Sequence, residues 1–283
     1  MSQAALPRAL VIGGGRGIGA AVVETLAARG FAVTYTYRTA PGGLHRAAAG
    51  DPRHGVSASP DNAFSVNPDH APPGAAAAVD RIAAAPPVEA LRLDLADRAA
   101  VDAFARARED EPAWDALVQV GGTTYDTLAA MMDQDKAELA MQVNFFAFVR
   151  IARAVVRPMM RARHGRIVAI GSVIGQVASQ GNTAYGATKA ALLAYVKGLA
   201  IESAKRGVTV NYVAPGFVDT EMMAPFAAHR AAVEGRVPAG RYARAGEIAA
   251  VAAFLVSPEA SYVNGAYIPV DGGLTASAGI PRG

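Results

Sequence analysis

The sequence predicts an α/β fold: a single domain on a doubly wound (Rossmann-type) parallel sheet of seven strands, with helices on both faces. Three observations predict it. Short runs rich in Val, Ile and Leu alternate with longer segments of helical periodicity, the pattern of parallel strands joined by crossover helices. The first of these runs, Ala9-Leu10-Val11-Ile12, passes directly into the glycine-rich turn Gly13-Gly14-Gly15-Arg16-Gly17-Ile18-Gly19. The chain has 283 residues, enough to bury a sizeable core, and its motifs span positions 13 to 273 with no second set, so residues 1–283 are read as one domain.

The elements follow in order. A strand is predicted at 9–14 and a helix at 17–29, where Ile18, Val22 and Leu26 recur on one face until Gly30 stops it. A second strand covers 31–37. The segment 40–74 then breaks the pattern. It holds Gly42-Gly43, Pro52, Pro60, Pro68 and Pro72-Pro73, with His45, His54 and His70 among few large apolar residues. Such a composition buries too little apolar surface to form a core element, and it reads as a flexible insertion with solvated histidines. Beyond it come a helix at 75–85, a strand at 90–95, a helix at 98–109 capped by Asp97, and a strand at 116–121. A long helix spans 134–162, with Pro158 expected to kink or end it. A strand at 166–171, a helix at 184–205, a strand at 208–213, helices at 221–234 and 246–256, and a strand at 266–270 complete the set.

Composition narrows the chemistry. There is no cysteine, hence no disulfide, thiolate nucleophile or cysteine-bound zinc, and the five histidines lack paired metal-ligand spacing. A formal charge of +3 with scattered arginines argues against nucleic acid and is compatible with weak attraction to acidic partners. No uninterrupted apolar run approaches the roughly 18 residues of a membrane span. The N-terminus lacks the basic start, apolar stretch and cleavage site of a signal peptide, so the expected location is the cytoplasm, away from membranes.

Two motifs carry chemistry. In the glycine-rich turn, absent side chains let the backbone approach a pyrophosphate at a helix N-terminus, where unpaired N–H groups and the helix dipole attract anions. The spacing is Gly-x-x-x-Gly-x-Gly at Gly13, Gly17 and Gly19. The second motif is Ser172 followed by Tyr185-Gly186-Ala187-Thr188-Lys189. Tyr and Lys four apart on a helix share a face. A nearby ammonium favours the phenolate and draws a phenol that titrates near pH 10 toward the working range. The Ser172 hydroxyl, just after a strand, is placed to hold a substrate oxygen against that phenol.

Together these residues resemble the short-chain dehydrogenase/reductase family, over almost the whole chain. Asn144, Ser172, Tyr185 and Lys189 match its catalytic tetrad, and Asn211-Tyr212-Val213-Ala214-Pro215-Gly216 with Thr220 matches its nicotinamide-side loop. The segments Arg163-His164-Gly165-Arg166-Ile167, Gly171-Ser172-Val173-Ile174-Gly175, Val237-Pro238-Ala239-Gly240-Arg241 and Ala260-Ser261-Tyr262-Val263-Asn264-Gly265 look like those of the β-ketoacyl-carrier-protein reductases. The resemblance implies reduction of a β-ketoacyl chain on an acyl carrier protein, in fatty-acid or polyketide synthesis. Its alternatives are a family member acting on a free ketone, sugar or alcohol, and a non-catalytic dinucleotide-binding protein.

The resemblance also implies roles. Gly13, Gly15, Arg16, Gly17, Ile18, Gly19, Asp94, Leu95, Gly121, Pro215, Gly216, Val218 and Thr220 would surround the cofactor, with Tyr185 and Lys189 at its nicotinamide ribose. At the end of the second strand stands Arg38, with no acid at Tyr37 or Arg38. A carboxylate there would bind a ribose 2′-hydroxyl, whereas a cation suits a 2′-phosphate, so NADPH is expected, with Arg16 as its second cation. Tyr185 would give a proton to the substrate oxygen, Ser172 would hydrogen-bond it, Lys189 would serve the phenol and the ribose, and Asn144 would hold a water that relays protons to Lys189. Arg163 and Arg206 align with the carrier-docking arginines of the resembled reductases and are expected to flank one active-site entrance. A homotetramer is implied, and Phe145, Phe146, Phe148 and Val149 on the long helix are more apolar surface than one face buries within a monomer. Two positions depart from the family: Ile12 replaces a Thr that ties the glycine turn to the fourth strand, and that strand's Asn-Asn-Ala-Gly reads Gln119-Val120-Gly121-Gly122.

Overall fold

In the computed structural model, which describes residues 5–39 and 86–277, seven strands form one sheet. They are β1 (Arg8–Ile12), β2 (Ala32–Tyr37), β3 (Val88–Arg92), β4 (Ala116–Gln119), β5 (Gly165–Ile170), β6 (Val208–Pro215) and β7 (Tyr267–Val270). Every neighbouring pair is parallel, in the spatial order β3-β2-β1-β4-β5-β6-β7. The helices are α1 (Gly17–Ala28), α2 (Arg98–Glu109), α3 (Gln134–Met141), α4 (Ala147–Ala162), α5 (Thr183–Ser203), α6 (Arg230–Glu234) and α7 (Ala245–Leu255). The expected insertion at 40–74, with its three histidines, and the expected helix at 75–85 lie outside the described residues.

Alternation along each strand builds two cores. Leu10, Ile12, Leu117, Ile167, Ala169 and Val210 face α2, α4 and α5, while Ala9, Val11, Ala116, Val118, Val168 and Ile170 face α1 and α7. The sheet is therefore apolar on both sides, as parallel sheets covered by helices are. From β1 the chain winds outward through β2 and β3, then returns to add β4 on the other side of β1. The crevice of such a reversal opens at the carboxyl ends of β1 and β4. There Gly13, at φ +85, passes so close to Gly121 that a Cβ on it would lie 2.5 Å from the Gly121 backbone.

Three expectations change in detail. The long helix is not continuous: a π turn at Gln142–Phe146 separates α3 from α4. Pro158 does not end α4, which runs on to Ala162 and stops at Arg163 in a left-handed conformation with φ 55. A proline costs its own N–H bond to the preceding turn, and the fully buried Ile151, Val155 and Met159 around this one outweigh that loss. The predicted helix at 221–234 is a 3-10 segment, Glu221–His229, followed by the short α6. Asp97 does cap α2, its Oδ1 accepting the Ala100 N–H at 2.9 Å.

By length and composition, Gln134–Ala162 is the one described helix that could cross a membrane, yet 56% of its most apolar window is buried in the fold. It is a core helix. Its aromatic run divides accordingly: Phe148 is fully buried, Phe145 meets Tyr195 edge-on at 6.0 Å, and Phe146 stays 42% exposed. The apolar surplus on this helix is thus smaller than the sequence suggests.

Candidate active site

The site forms where β5 ends. Ser172 leaves the strand in an extended conformation and caps the 3-10 turn Val173–Gly175, its Oγ accepting the Ile174 N–H at 3.2 Å. Tyr185 lies in the first turn of α5 and Lys189 one turn further on. The three share a cleft with Gly122 and Thr123 from the loop after β4, with Ile18 at the start of α1, with Pro215 ending β6, and with Gly216, Val218, Thr220, Met222 and Met223 beyond it.

Burial dominates the electrostatics. The Tyr185 phenol is pushed up to about 12, chiefly by desolvation. The facing Ser172 hydroxyl pulls the other way, and the Asp126 carboxylate adds to the rise. Lys189 is 4% exposed, and burial pulls its ammonium down to about 8. Its Nζ lies 5.6 Å from the centroid of the Tyr185 ring. The expected lowering of the phenol by the ammonium is not what the site shows, because desolvation sets its direction. The phenol is therefore a neutral acid at physiological pH. Lys189 forms no ion pair among the described residues, and a buried ammonium without an acid is a donor suited to ligand hydroxyls.

Asn144 sits in the π turn, 1% exposed. Its Nδ2 donates to the Thr123 carbonyl and to Thr188 Oγ1, both at 2.9 Å, and its Oδ1 accepts the Thr123 N–H at 2.8 Å. Thr188 Oγ1 in turn donates to the Tyr185 carbonyl at 2.7 Å. A Cβ on Gly122 would lie 3.1 Å from Asn144 Oδ1 and 3.5 Å from Lys189 Nζ, so the missing side chain keeps the space between those two polar groups open.

The glycine turn fits a pyrophosphate. Gly17 has φ +52 beside Thr220, and a Cβ on Gly19 would overlap the Gly13 carbonyl. Gly15, Arg16 and Ile18 complete the approach to α1, and Arg16 pairs with Glu221 at 3.1 Å across the cleft mouth. Arg38 is exposed just past β2. Leu95 packs over Gly121, where a Cβ would come within 2.7 Å of it, and the adjoining Asp94 accepts the Ala96 N–H at 3.0 Å. With no hydroxyl at Ile12, the tie to the β4 end is main-chain, the Val120 and Gly121 N–H groups donating to the Ile12 carbonyl at 2.9 and 2.8 Å, while Thr36 Oγ1 on β2 accepts the Gly13 N–H at 3.0 Å. Gln119 Nε2 donates to the Gly121 carbonyl at 2.7 Å and so braces the departed motif from within.

Comparison with known proteins agrees with this geometry. A family model described as enoyl-(acyl carrier protein) reductase matches residues 66–275. The 3-oxoacyl-(acyl-carrier-protein) reductase of Escherichia coli is 37% identical over 268 residues, 94% of this chain and 96% of that protein. The chain belongs to the short-chain dehydrogenase/reductase family. The reductase of the same description from Vibrio cholerae is 35% identical, again over 94% of this chain and 96% of that one. Among solved structures of the family, a gluconate 5-dehydrogenase from Burkholderia cenocepacia, in complex with NADP and tartrate, has a TM-score of 0.76 at 29% identity, covering 96% of each chain. A putative NAD(P)-dependent gluconate 5-dehydrogenase from Beutenbergia cavernae, with bound NADP, reaches 0.78 at 30% identity, over 97% of this chain and 99% of the other.

One placement corrects the sequence reading. Arg163 and Arg206 are neighbours, since Arg163 donates to the carbonyl of Lys205 at 3.3 Å, but they do not flank their own chain's cleft. They lie where β5 and β6 begin, whereas Ser172 lies where β5 ends. Six strand residues at about 3.3 Å each put roughly 20 Å between the two edges. Arg206 instead lines a depression with Arg157, Met160 and Arg161. Sequence reasoning also missed Thr188 and Thr36, whose hydroxyls fix the tetrad and the glycine turn, and Asp126, which acts on the Tyr185 phenol. The signal for Thr188 was present: a hydroxyl one residue before Lys189, turned into the fold.

Proposed function

We propose that the chain is an NADPH-dependent reductase of 3-oxoacyl thioesters carried on an acyl carrier protein, acting in the cytoplasm. The observation that carries this reading is the convergence of Ser172, Tyr185 and a buried, acid-free Lys189 in a cleft floored by close-approach glycines. When bound, the nicotinamide cofactor supplies a hydride to the carbonyl carbon. Gly13, Gly17 and Gly19 would hold its pyrophosphate, Lys189 its ribose hydroxyls and Arg38 its 2′-phosphate.

The chain's own groups handle the oxygen and the proton. Ser172 donates a hydrogen bond to the carbonyl oxygen as charge develops there. Tyr185, kept protonated by burial, gives its proton to that oxygen. The phenolate then faces Lys189, whose charged form it favours. Asn144 Oδ1 keeps a free lone pair toward the space above Gly122, which suits a water relaying the replacement proton to Lys189.

Assembly completes the reading. Ile201 on α5 is 80% exposed and Phe146 beside α4 is 42% exposed, while Phe254 and Tyr262 stand out near β7. These are two apolar surfaces for two-fold pairing into a homotetramer. Antiparallel pairing of α5 would set the Arg163–Arg206 edge of one protomer beside the cleft of its partner, which restores a docking role for the pair.

The likeness to gluconate dehydrogenases favours a second reading, a free keto acid or polyol as substrate. Oxidation of NADPH by a pantetheine- or carrier-bound 3-oxoacyl thioester, measured against free ketones and 5-ketogluconate, decides between them. Turnover with thioesters alone supports the first reading. Turnover with free ketones alone replaces it by the second.

A further inference from the structure

Strand β6 carries Tyr212 directly beneath the cleft, fully buried. Its hydroxyl accepts the Ser172 N–H at 2.9 Å, and its one proton is shared between the carbonyls of Ser172, at 3.2 Å, and Lys189, at 3.3 Å. A single phenol oxygen thus ties the main chain of the loop bearing Ser172 to the main chain of α5. The ring fits because two neighbours lack side chains. A Cβ on Gly171 would overlap it, and one on Gly175 would lie 2.9 Å from its hydroxyl. Tyr267 stacks on the ring with centroids 5.7 Å apart and planes 17° apart, which holds it in plane.

We propose that Tyr212 is a positioning residue: its hydroxyl sets the spacing between Ser172 and the Tyr185–Lys189 turn without touching substrate or cofactor. This rests on the reductase reading above. The turn of Ser172 itself adds the Ile174 N–H to its hydroxyl and the Gly175 N–H to its carbonyl, and across the cleft that hydroxyl meets the Tyr185 phenol. Packing brings that turn close to α5, where a Cβ on Gly175 would lie 2.9 Å from the Lys189 backbone, and the Tyr212 hydroxyl is the bond that joins the two main chains there. The Asn144–Thr188 link holds α5 to the loop after β4 and does not reach the Ser172 loop. Tyr212 is the hydroxyl that joins the main chains of the two halves that must close on one carbonyl oxygen.

Tyr212→Phe tests this, since it keeps the ring and its stacking and deletes one oxygen. Misplacement by about 1 Å can cost roughly a hundredfold in rate, so a fall in kcat of about 10- to 100-fold is expected, with NADPH affinity unchanged. The same substitution in a Ser172→Ala background should cost little, because Tyr212 acts through Ser172 and coupled residues are not additive. An equal factor lost in both backgrounds would mark a structural role and overturn the proposal, as would full activity of Tyr212→Phe. Should the Phe variant fail to fold, a ring-fluorinated tyrosine at 212 keeps the hydroxyl but weakens it as an acceptor. Reduced kcat there supports the proposal, and unchanged kcat overturns it. Unmodified protein inert toward every carbonyl would sink both readings, whereas an active enzyme indifferent to Tyr212→Phe sinks this one alone.

Discussion

The two ends of α5 differ in kind. At its start, Tyr185 and Lys189 sit in a desolvated cleft where Asn144 donates to Thr188 at 2.9 Å and Tyr212 to the Lys189 carbonyl at 3.3 Å, binding α5 to the π turn and to β6. Just past its far end, Lys205 and Arg206 stand in solvent, and Arg163 reaches them by one guanidinium-to-carbonyl bond at 3.3 Å. Low dielectric makes each contact at the first end strong and each lost contact costly. Solvent and salt screen the charges at the second, so they act at range and weakly. One helix therefore carries groups whose placement matters to a fraction of an ångström and groups whose sign matters more than their place.

The largest expected effect breaks the catalytic end. Tyr185→Phe deletes the proposed proton donor and should lower turnover by more than about a hundredfold, the usual worth of general acid catalysis. NADPH affinity, measured by fluorescence titration, should stay nearly the same. Retention of more than a few per cent of activity would assign the proton to another group.

Lys189 offers a stability test of the same end. Its ammonium, at about 8 in the fold against 10.5 as the ordinary value, is costly to bury. Below pH 8 that cost is fully present. Between pH 8 and 10.5 the unfolded chain binds more protons than the folded one, so stability rises with pH across that window. Each tenfold change in proton affinity is worth about 1.4 kcal/mol, which bounds the cost at about 3 kcal/mol. Lys189→Met should therefore raise Tm at pH 7 and lose that advantage by pH 10, while abolishing reduction. A Tm difference independent of pH would mean that the ammonium is not desolvated.

The next effect lies on neither end but at the cofactor's far side. Arg38→Asp removes the charge-assisted contact proposed for the 2′-phosphate and adds repulsion toward it. Such a contact is worth about 1.5–3 kcal/mol, so the ratio of kcat/KM for NADPH over NADH should fall by roughly one to two decades. Equal use of both cofactors by the unmodified enzyme would remove Arg38 from the cofactor site.

The comparison also shows what a sequence displays. Strands and helices were legible because burial on both faces leaves apolar runs such as Arg166-Ile167-Val168-Ala169-Ile170, and the cleft was legible because glycines and the Tyr-Lys pair have fixed local spacing. The π turn was not, since Gln142-Val143-Asn144-Phe145-Phe146 has ordinary helical composition and the extra residue per turn serves Asn144's distant partners Thr123 and Thr188. Tyr212 read as one more strand residue, because its meaning depends on Gly171 and Gly175 in another segment. Arg163 and Arg206 misled for a different reason. Closeness in sequence to Ser172 and Lys189 does not tell which end of a strand a residue occupies, and here about 20 Å of β5 intervenes.

That distance makes the arginine pair the sharpest, and smallest, test of the comparison. If the pair meets an acidic carrier beside the partner's cleft, Arg163→Glu with Arg206→Glu should raise KM for a carrier-bound substrate several-fold and flatten its salt dependence, since rim charges govern encounter more than chemistry. Turnover of a short pantetheine thioester should hardly move, because no atom of the cleft changes. Light scattering on the same samples should give a tetrameric mass, and that control matters: a monomer would leave the pair some 20 Å from any cleft, and a KM effect in a monomer would require the carrier itself to span that gap. Equal impairment of both substrates would show that the basic edge supports the fold. No change in either would return the pair to ordinary surface charge and leave carrier recognition to the loops above Tyr185.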